Sequence, residues 1–281
     1  MVNYNGDLYD AKDFALPHDN RAFRYGDGFF ETIRCISGQP LWMDRHIQRI
    51  SESLKILKMD LLDLEKHKLT NLIAELLLSN GHIDGARARI TFYRGRGGLY
   101  KPLSSERHFL IETAPLEERS YKLNNQGKLI DIFPDLFKTP NVLSPIKSLN
   151  AQLYVMAAIF ASENNINDCI IANTNGAIAE GISSNLFLAK KETIYTPSID
   201  QGCVNGVMRN IIIEIAREAG FQVVECQLSE SDLLDADELF LTNAIQGIQW
   251  VKGFQKKRYF HKISELLAGL LIKKSESLLV N

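Results

Sequence analysis

Residues 168–188 read DCIIANTNGAIAEGISSNLFL, and the fold turns on this stretch. Apolar residues come in two short runs, Cys169–Ala172 and Ala177–Ala179, with Asn173-Thr174-Asn175-Gly176 between them. Asn-Gly between apolar runs predicts a hairpin, because both residues tolerate the positive φ of a tight turn. Glu180 follows the second run, then come Gly181-Ile182-Ser183-Ser184-Asn185 and a third apolar run, Leu186–Ala189. A carboxylate at the end of an apolar strand is costly to bury unless a cation meets it. The small polar residues after it, Ser183 and Asn185 among them, offer side-chain donors on a tight backbone path. One wall of a polar ligand site fits these residues, and so does a hairpin with an exposed polar corner.

Outward from this stretch the chain reads as alternating strands and helices in irregular order. Upstream, Val2–Tyr4, Gly28–Ile36, Ala86–Tyr93 and His108–Thr113 read as strands. In Ala86–Tyr93, Ala86, Ala88, Ile90 and Phe92 point one way and Arg87, Arg89 and Thr91 the other. Leu41–Met59 and Leu64–Leu78 have helical apolar spacing. Ala114–Gly127, with its Pro, charged and Asn residues, is the best linker, so domains are expected over residues 1–120 and 121–281. Beyond it, Lys128–Phe133 reads as a strand, Leu153–Ser162 and Val207–Ala219 as helices, and Phe221–Cys226 and Glu238–Leu241 as strands. Ile263–Ile272 is the apolar part of a last helix. The irregular order favours an α+β fold over a doubly wound sheet.

Composition narrows the function. The 281 residues carry a net charge of -2 with no basic block, so neither nucleic acid nor a membrane surface is an expected partner. The longest apolar runs are too short to span a bilayer. The polar, acidic N-terminus does not read as a signal peptide, which favours a cytoplasmic protein. Cys35, Cys169, Cys203 and Cys226 lie far apart, which suits reduced thiols, and no metal is expected.

Five features could carry chemistry. Lys147 follows Pro145-Ile146 on an otherwise apolar or neutral stretch, and a lysine withdrawn from water can act as a nucleophile. Arg49 shares a helix with Arg45 and His46, and an arginine aimed into a cleft suits a phosphate. Asn205-Gly206 precedes the helix of Val207 and Met208, whose first N–H groups would be free for an anion. Thr242-Asn243 places a hydroxyl and an amide at a strand end. Arg94 and Arg96, in the glycine-rich Arg94–Tyr100 loop, could meet a substrate carboxylate. Each feature also has an ordinary structural reading: a surface lysine, a solvated helix face, a helix start, a polar turn, exposed arginines.

Taken together, these features resemble one family in order and spacing, the class IV aminotransferases of fold type IV. The likeness runs through Tyr25–Arg34, Arg45-His46-Ile47-Gln48-Arg49, Lys147-Ser148-Leu149-Asn150, Glu180 to Phe187, Gly206 to Arg209 and Asp237–Phe240. The resemblance implies a smaller N-terminal α/β sandwich, a larger C-terminal pseudo-barrel domain that carries Lys147, and a homodimer. It implies pyridoxal 5'-phosphate as cofactor, bound covalently by Lys147, which later shuttles protons. Glu180 would face the pyridine nitrogen, Arg49 would grip the phosphate, and Val207, Met208 and Asn243 would complete the phosphate cup, with Ser183 and Asn185 also at the cofactor. Met208 stands where threonine is commoner, so a side-chain hydroxyl is missing.

Within the family, Glu31-Thr32-Ile33-Arg34 and Lys147-Ser148-Leu149-Asn150 depart from the branched-chain pattern, and Phe30 replaces the tyrosine of D-amino-acid aminotransferases. The Arg94–Tyr100 loop and the Tyr195–Arg209 segment resemble aminodeoxychorismate lyases, although the loop matches their form only in part. The implied reaction converts 4-amino-4-deoxychorismate, a small-molecule amino substrate, to 4-aminobenzoate and pyruvate, with Phe30, Arg94 and Arg96 on the substrate side. The alternatives are amino-acid transamination and a non-catalytic ligand-binding or scaffold homologue.

Overall fold

The structure is a computed structural model of the chain and describes residues 1–61 and 66–279. The chain forms two compact units. Met1–Ser120, Ile146–Asn150 and the end of the chain from Ser277 make the first, and Tyr121–Pro145 and Ala151–Glu276 make the second.

The first unit is built on β1 (Val2–Tyr4), β2 (Asp7–Tyr9), α1 (Arg21–Tyr25), β3 (Gly28–Ile36), β4 (Gln39–Pro40), α2 (Met43–Ile56), α3 (Lys66–Asn80), β5 (Gly85–Arg94) and β6 (Arg107–Pro115). Its strands form one antiparallel sheet in the order β2-β1-β6-β5-β3-β4. The alternation read in β5 holds: Ala86, Ala88, Ile90 and Phe92 are buried, Arg87 is exposed, and Arg89 and Thr91 are half-buried. The buried face packs with Phe29 and Ile33 of β3 against Ile50 and Leu54 of α2 and Leu69, Ile73, Leu76 and Leu77 of α3. Phe29 and Phe92 stack with centroids 5.0 Å apart. The first two residues of the helix expected from Leu64 lie outside the described residues.

The second unit comprises β7 (Lys128–Ile132), α4 (Gln152–Glu163), β8 (Asp168–Ala172), β9 (Ile178–Gly181), β10 (Asn185–Lys190), β11 (Thr193–Pro197), α5 (Val207–Glu218), β12 (Gln222–Cys226), α6 (Glu230–Asp235), β13 (Glu238–Asn243), β14 (Gly247–Phe254), β15 (Lys257–Arg258) and α7 (Lys262–Ser277). The sheet runs β12-β11-β10-β13-β14-β7-β8-β9, with β15 paired to β14. Two strand–helix–strand units, β7-α4-β8 and β11-α5-β12, join parallel neighbours, β14 and β7 also pair in parallel, and the remaining pairs are antiparallel. A mixed sheet with helices of this kind is α+β, as the order of elements implied.

The Asn173–Gly176 hairpin forms as read. Gly176 has φ +79, and Asn173 Oδ1 accepts from the N–H groups of Asn175 and Ala177. Every residue of β8 and β9 is buried, so these runs are core strands. Phe187 of β10 and Phe240 of β13 stack in register, 5.1 Å apart with an interplanar angle of 1°. The structure adds β2, β4, β14, β15, α1 and α6, which the apolar pattern did not reveal. No helix among the described residues is long and apolar enough to cross a membrane.

The Phe187–Phe240 stack predicts a specific cost. Phe187→Ala should destabilise the protein by about 3–5 kcal/mol through the cavity it leaves. Leu78→Ala, at a 68% exposed position, should change stability by less than about 0.5 kcal/mol. Urea unfolding of both variants measures the difference.

Candidate active site

Lys147 lies on an extended segment laid along the start of β3. Phe30 N–H donates to Lys147 O (2.9 Å) and Leu149 N–H to Gly28 O (3.1 Å). These bonds explain why Ile146–Asn150 groups with the first unit, although the sequence reading put Lys147 in the C-terminal domain. Glycine is required at position 28, because a Cβ there would collide with Phe92 O and with the Leu149 side chain. Ile146 is buried in the first unit's core, which pins the residue before the lysine.

The Lys147 side chain runs to Phe30, with Nζ 4.7 Å from the ring centroid. Arg89 of β5 meets the same ring, its guanidinium carbon 3.7 Å from the centroid. Arg89 stands opposite Thr32 on β3 and Glu112 on β6. Burial lowers its pKa against the opposing charge of Glu112. Its guanidinium makes no hydrogen bond or salt bridge among the described residues. A half-buried guanidinium whose donors have no acceptor among the described residues is suited to receive an anion. The sequence reading placed Arg89 on the face of its strand opposite Ala88 and Ile90 but did not single it out.

Arg49, expected to grip a phosphate, is itself held by a buried carboxylate. His46 and Arg49, three residues apart on α2, share a face, and both reach Glu31 on β3. Arg49 donates from Nε to Glu31 Oε1 and from Nη2 to Oε2, both at 2.7 Å. His46 Nδ1 is 2.7 Å from Oε2. Glu31 and His46 are fully buried. Burial alone would push the Glu31 carboxyl up, but the charge of Arg49 and the hydrogen bonds from His46 and Arg49 outweigh it and hold the pKa at about 2. The cluster fastens α2 to the sheet and fixes the Arg49 guanidinium.

The loop arginines have other work. Arg94 donates from Nε to Asp27 (3.0 Å), from Nη1 to Lys58 O (3.1 Å) and from Nη2 to Leu57 O (2.6 Å), beyond the end of α2. Arg21 closes the same knot through Asp27 and the carbonyls of Gly97 and Leu99. Arg94 therefore holds the loop in place and is not arranged to receive a substrate. Arg96 is exposed and paired with Asp19 at 2.6 Å.

In the second unit, Glu180 ends the core strand β9 at 3% exposure. Its Oε1 accepts from Lys138 Nζ (2.5 Å) and Tyr154 OH (2.7 Å), and Oε2 accepts from Val204 N–H (2.8 Å). A carboxylate has about four acceptor positions, so one on Oε2 is left for a further donor. Burial, then the Glu180 charge and hydrogen bond, push the Tyr154 phenol far up, so it stays a neutral donor. Neither Lys138, in the proline-containing loop, nor Tyr154, on α4, stood out in the sequence.

The helix start is built for an anion. Gly206 caps α5 with no side-chain acceptor, and the first turn holds no acidic residue. The first N–H groups of α5, on Val207 and Met208, have no carbonyl partner within the helix. Met208 is buried, so it offers backbone only. Asn185 donates from Nδ2 to Val204 O (2.9 Å), and its Oδ1 fills the space a Cβ on Gly206 would need. Ser183 is exposed. Asn243 Oδ1 accepts from Ile245 and Gln246 N–H groups in its own turn, whereas the buried Thr242 hydroxyl beside it has no partner among the described residues. A carboxylate with one open position and an uncapped helix start fit a phosphorylated pyridine.

The model of the amino-transferase class IV family matches residues 28–254. An aminodeoxychorismate lyase of Bacillus subtilis is 31% identical over 98% of this chain and 94% of its own length. A putative branched-chain-amino-acid aminotransferase of Methanocaldococcus jannaschii is 31% identical over 88% of this chain and 85% of its own. The crystal structure of 4-amino-4-deoxychorismate lyase from Pseudomonas aeruginosa has a TM-score of 0.83 at 25% identity, over 96% of this chain and 98% of that one.

The Glu31 cluster predicts a pH dependence. Its pKa, lowered from 4.5 to about 2, contributes about 3 kcal/mol at 1.36 kcal/mol per unit. That stability is complete above the unfolded value and is lost as pH falls through the folded one. Urea unfolding between pH 6.5 and 2 should show the loss in the wild type. Glu31→Gln should be less stable at pH 6.5 and lack this part of the acid dependence.

Proposed function

The chain belongs to the class IV aminotransferases, pyridoxal-phosphate enzymes of fold type IV, and on that premise we propose that it converts 4-amino-4-deoxychorismate to 4-aminobenzoate, a folate precursor, and pyruvate. We place it in the cytoplasm as a homodimer. The observation that carries the reading is the pair of cations that meet Phe30: the Lys147 amine and an Arg89 guanidinium that makes no hydrogen bond or salt bridge among the described residues. A substrate that brings an amine, an apolar ring and carboxylates finds a partner for each. The full-length likeness to the Bacillus subtilis lyase supports the same substrate.

Bound pyridoxal phosphate supplies a carbonyl that takes up the substrate amine and a ring that accepts electrons from the carbon bearing it. Lys147 would hold the cofactor through its amine and be freed when the substrate amine takes its place. Lys147 Nζ then removes the proton from the amine-bearing carbon. The bond from the neighbouring carbon to the enolpyruvyl oxygen breaks as the double bond that makes the ring aromatic forms, and the departing enolpyruvate takes up a proton at its methylene carbon to become pyruvate. Glu180 Oε2 would accept from the ring nitrogen of the bound cofactor, and its charge would keep that nitrogen protonated. The N–H groups at the start of α5, with Arg49, would take the cofactor's phosphate. Arg89 takes a substrate carboxylate, and Phe30 gives the substrate ring a flat apolar surface.

Amino-acid transamination is the second reading, favoured by the equal identity of the archaeal aminotransferase. There Lys147 would move a proton between two carbons, and Arg89 would bind an α-carboxylate.

Equimolar pyruvate and 4-aminobenzoate should appear when the holoenzyme meets 4-amino-4-deoxychorismate, and Lys147→Ala should abolish both. Conversion of the cofactor to its amine form by leucine, glutamate or D-alanine, without pyruvate release, would replace the lyase by a transaminase. Arg89→Ala should raise KM about tenfold or more, the loss of a charged hydrogen bond, and steady-state kinetics with either substrate class reads it.

A further inference from the structure

Glu180 has a cationic neighbour before any ligand arrives. Lys138 Nζ is 2.5 Å from Oε1, 2.8 Å from Tyr154 OH and 3.4 Å from Ser144 O. The side chains of Lys138 and Glu180 are 12% and 4% exposed, so water screens the pair little. The lysine's position is fixed by its backbone. Lys138 N–H donates to Ala172 O (2.9 Å) at the end of β8, and Lys138 O accepts from Thr174 N–H (3.1 Å) in the hairpin turn. The hairpin that delivers Glu180 therefore also holds the residue that answers its charge. Tyr154 is neutral, so among the three donors to Glu180 only Lys138 brings a positive charge.

We infer that Lys138 is a positioning residue that moderates Glu180, so that the carboxylate holds the proton on the cofactor's ring nitrogen less tightly than a lone glutamate would. The inference rests on the assignment of Glu180 to that nitrogen. A carboxylate already paired at Oε1 attracts a second cation at Oε2 less strongly, because the Lys138 charge repels it across a poorly screened gap. The ring then accepts electrons less deeply. A shallower sink suits a reaction driven by aromatisation of its product, and it does not favour the lingering carbanion character that a proton transfer between two carbons needs.

The test is a binding ratio. The apoprotein is titrated with pyridoxal phosphate and with its analogue carrying a ring C–H in place of the nitrogen. The ratio of the two dissociation constants reports the ring-nitrogen contact and cancels effects on the phosphate. Lys138→Gln should raise the preference for pyridoxal phosphate about tenfold, the equivalent of one pKa unit, and Lys138→Arg should keep it within about twofold of wild type. An unchanged or lower preference in Lys138→Gln overturns the inference, as does a Lys138→Arg protein that behaves like Lys138→Gln. A wild-type protein with no preference at all overturns the Glu180 assignment and the inference with it. If Lys138→Gln does not fold, the wild-type holoprotein with 15N-labelled cofactor decides. A ring-nitrogen shift between the pyridine and pyridinium limits supports the inference, and one at the pyridinium limit overturns it.

Discussion

A carboxylate buried as deeply as Glu180 keeps its charge only if both oxygens have donors, and the second unit is arranged to supply them. The hairpin brings Glu180 to the end of β9 and pins Lys138 beside it. The Val204 peptide is clamped at both ends, its N–H on Glu180 and its carbonyl on Asn185. Two residues later Gly206 opens α5. The carboxylate and the free N–H groups of the helix thus share one short length of backbone. A shift in either moves the other, which is what a site for a rigid, flat, phosphorylated ring requires.

The first unit solves a similar problem with a different result. Glu31 is buried like Glu180, but Arg49 and His46 answer it from a packed helix. Strand alternation separates Glu31 from the residues that face Lys147. Phe29, Glu31 and Ile33 turn to one side of β3, and Phe30 and Thr32 to the other. The side chain that meets Lys147 therefore lies next in sequence to the one that anchors α2. Changing Phe30 should leave the core intact, whereas changing Glu31 unsettles it.

What the sequence made legible follows from the range of each interaction. Apolar period and turn chemistry are local, so β3, β5, the Asn173–Gly176 hairpin and the helix after Gly206 could be read directly. β14 could not, because its ladder slips between Val251 and Gly253 and breaks the alternation. α6 has six residues and depends on a capping box between Ser229 and Asp232 rather than on a periodic face. Lys147 and Glu180 drew attention as charged groups in apolar surroundings. Lys138 and Tyr154 escaped it, since what marks them is contact with a residue 42 and 26 positions away.

The arginines sharpen this point. Arg94 stands in a glycine-rich loop, the setting in which functional residues concentrate, yet its fork is filled by Asp27 and two backbone carbonyls. Those carbonyls follow the end of α2, where a cation also meets the negative end of the helix dipole. Arg89 stands mid-strand, where an arginine reads as a solvated face, and it has no hydrogen-bonding partner among the described residues. The guanidinium is costly to leave half-buried without an acceptor. Once each donor is followed to its acceptor, the loop arginine is structural, and the strand arginine is the one whose position an anionic ligand explains.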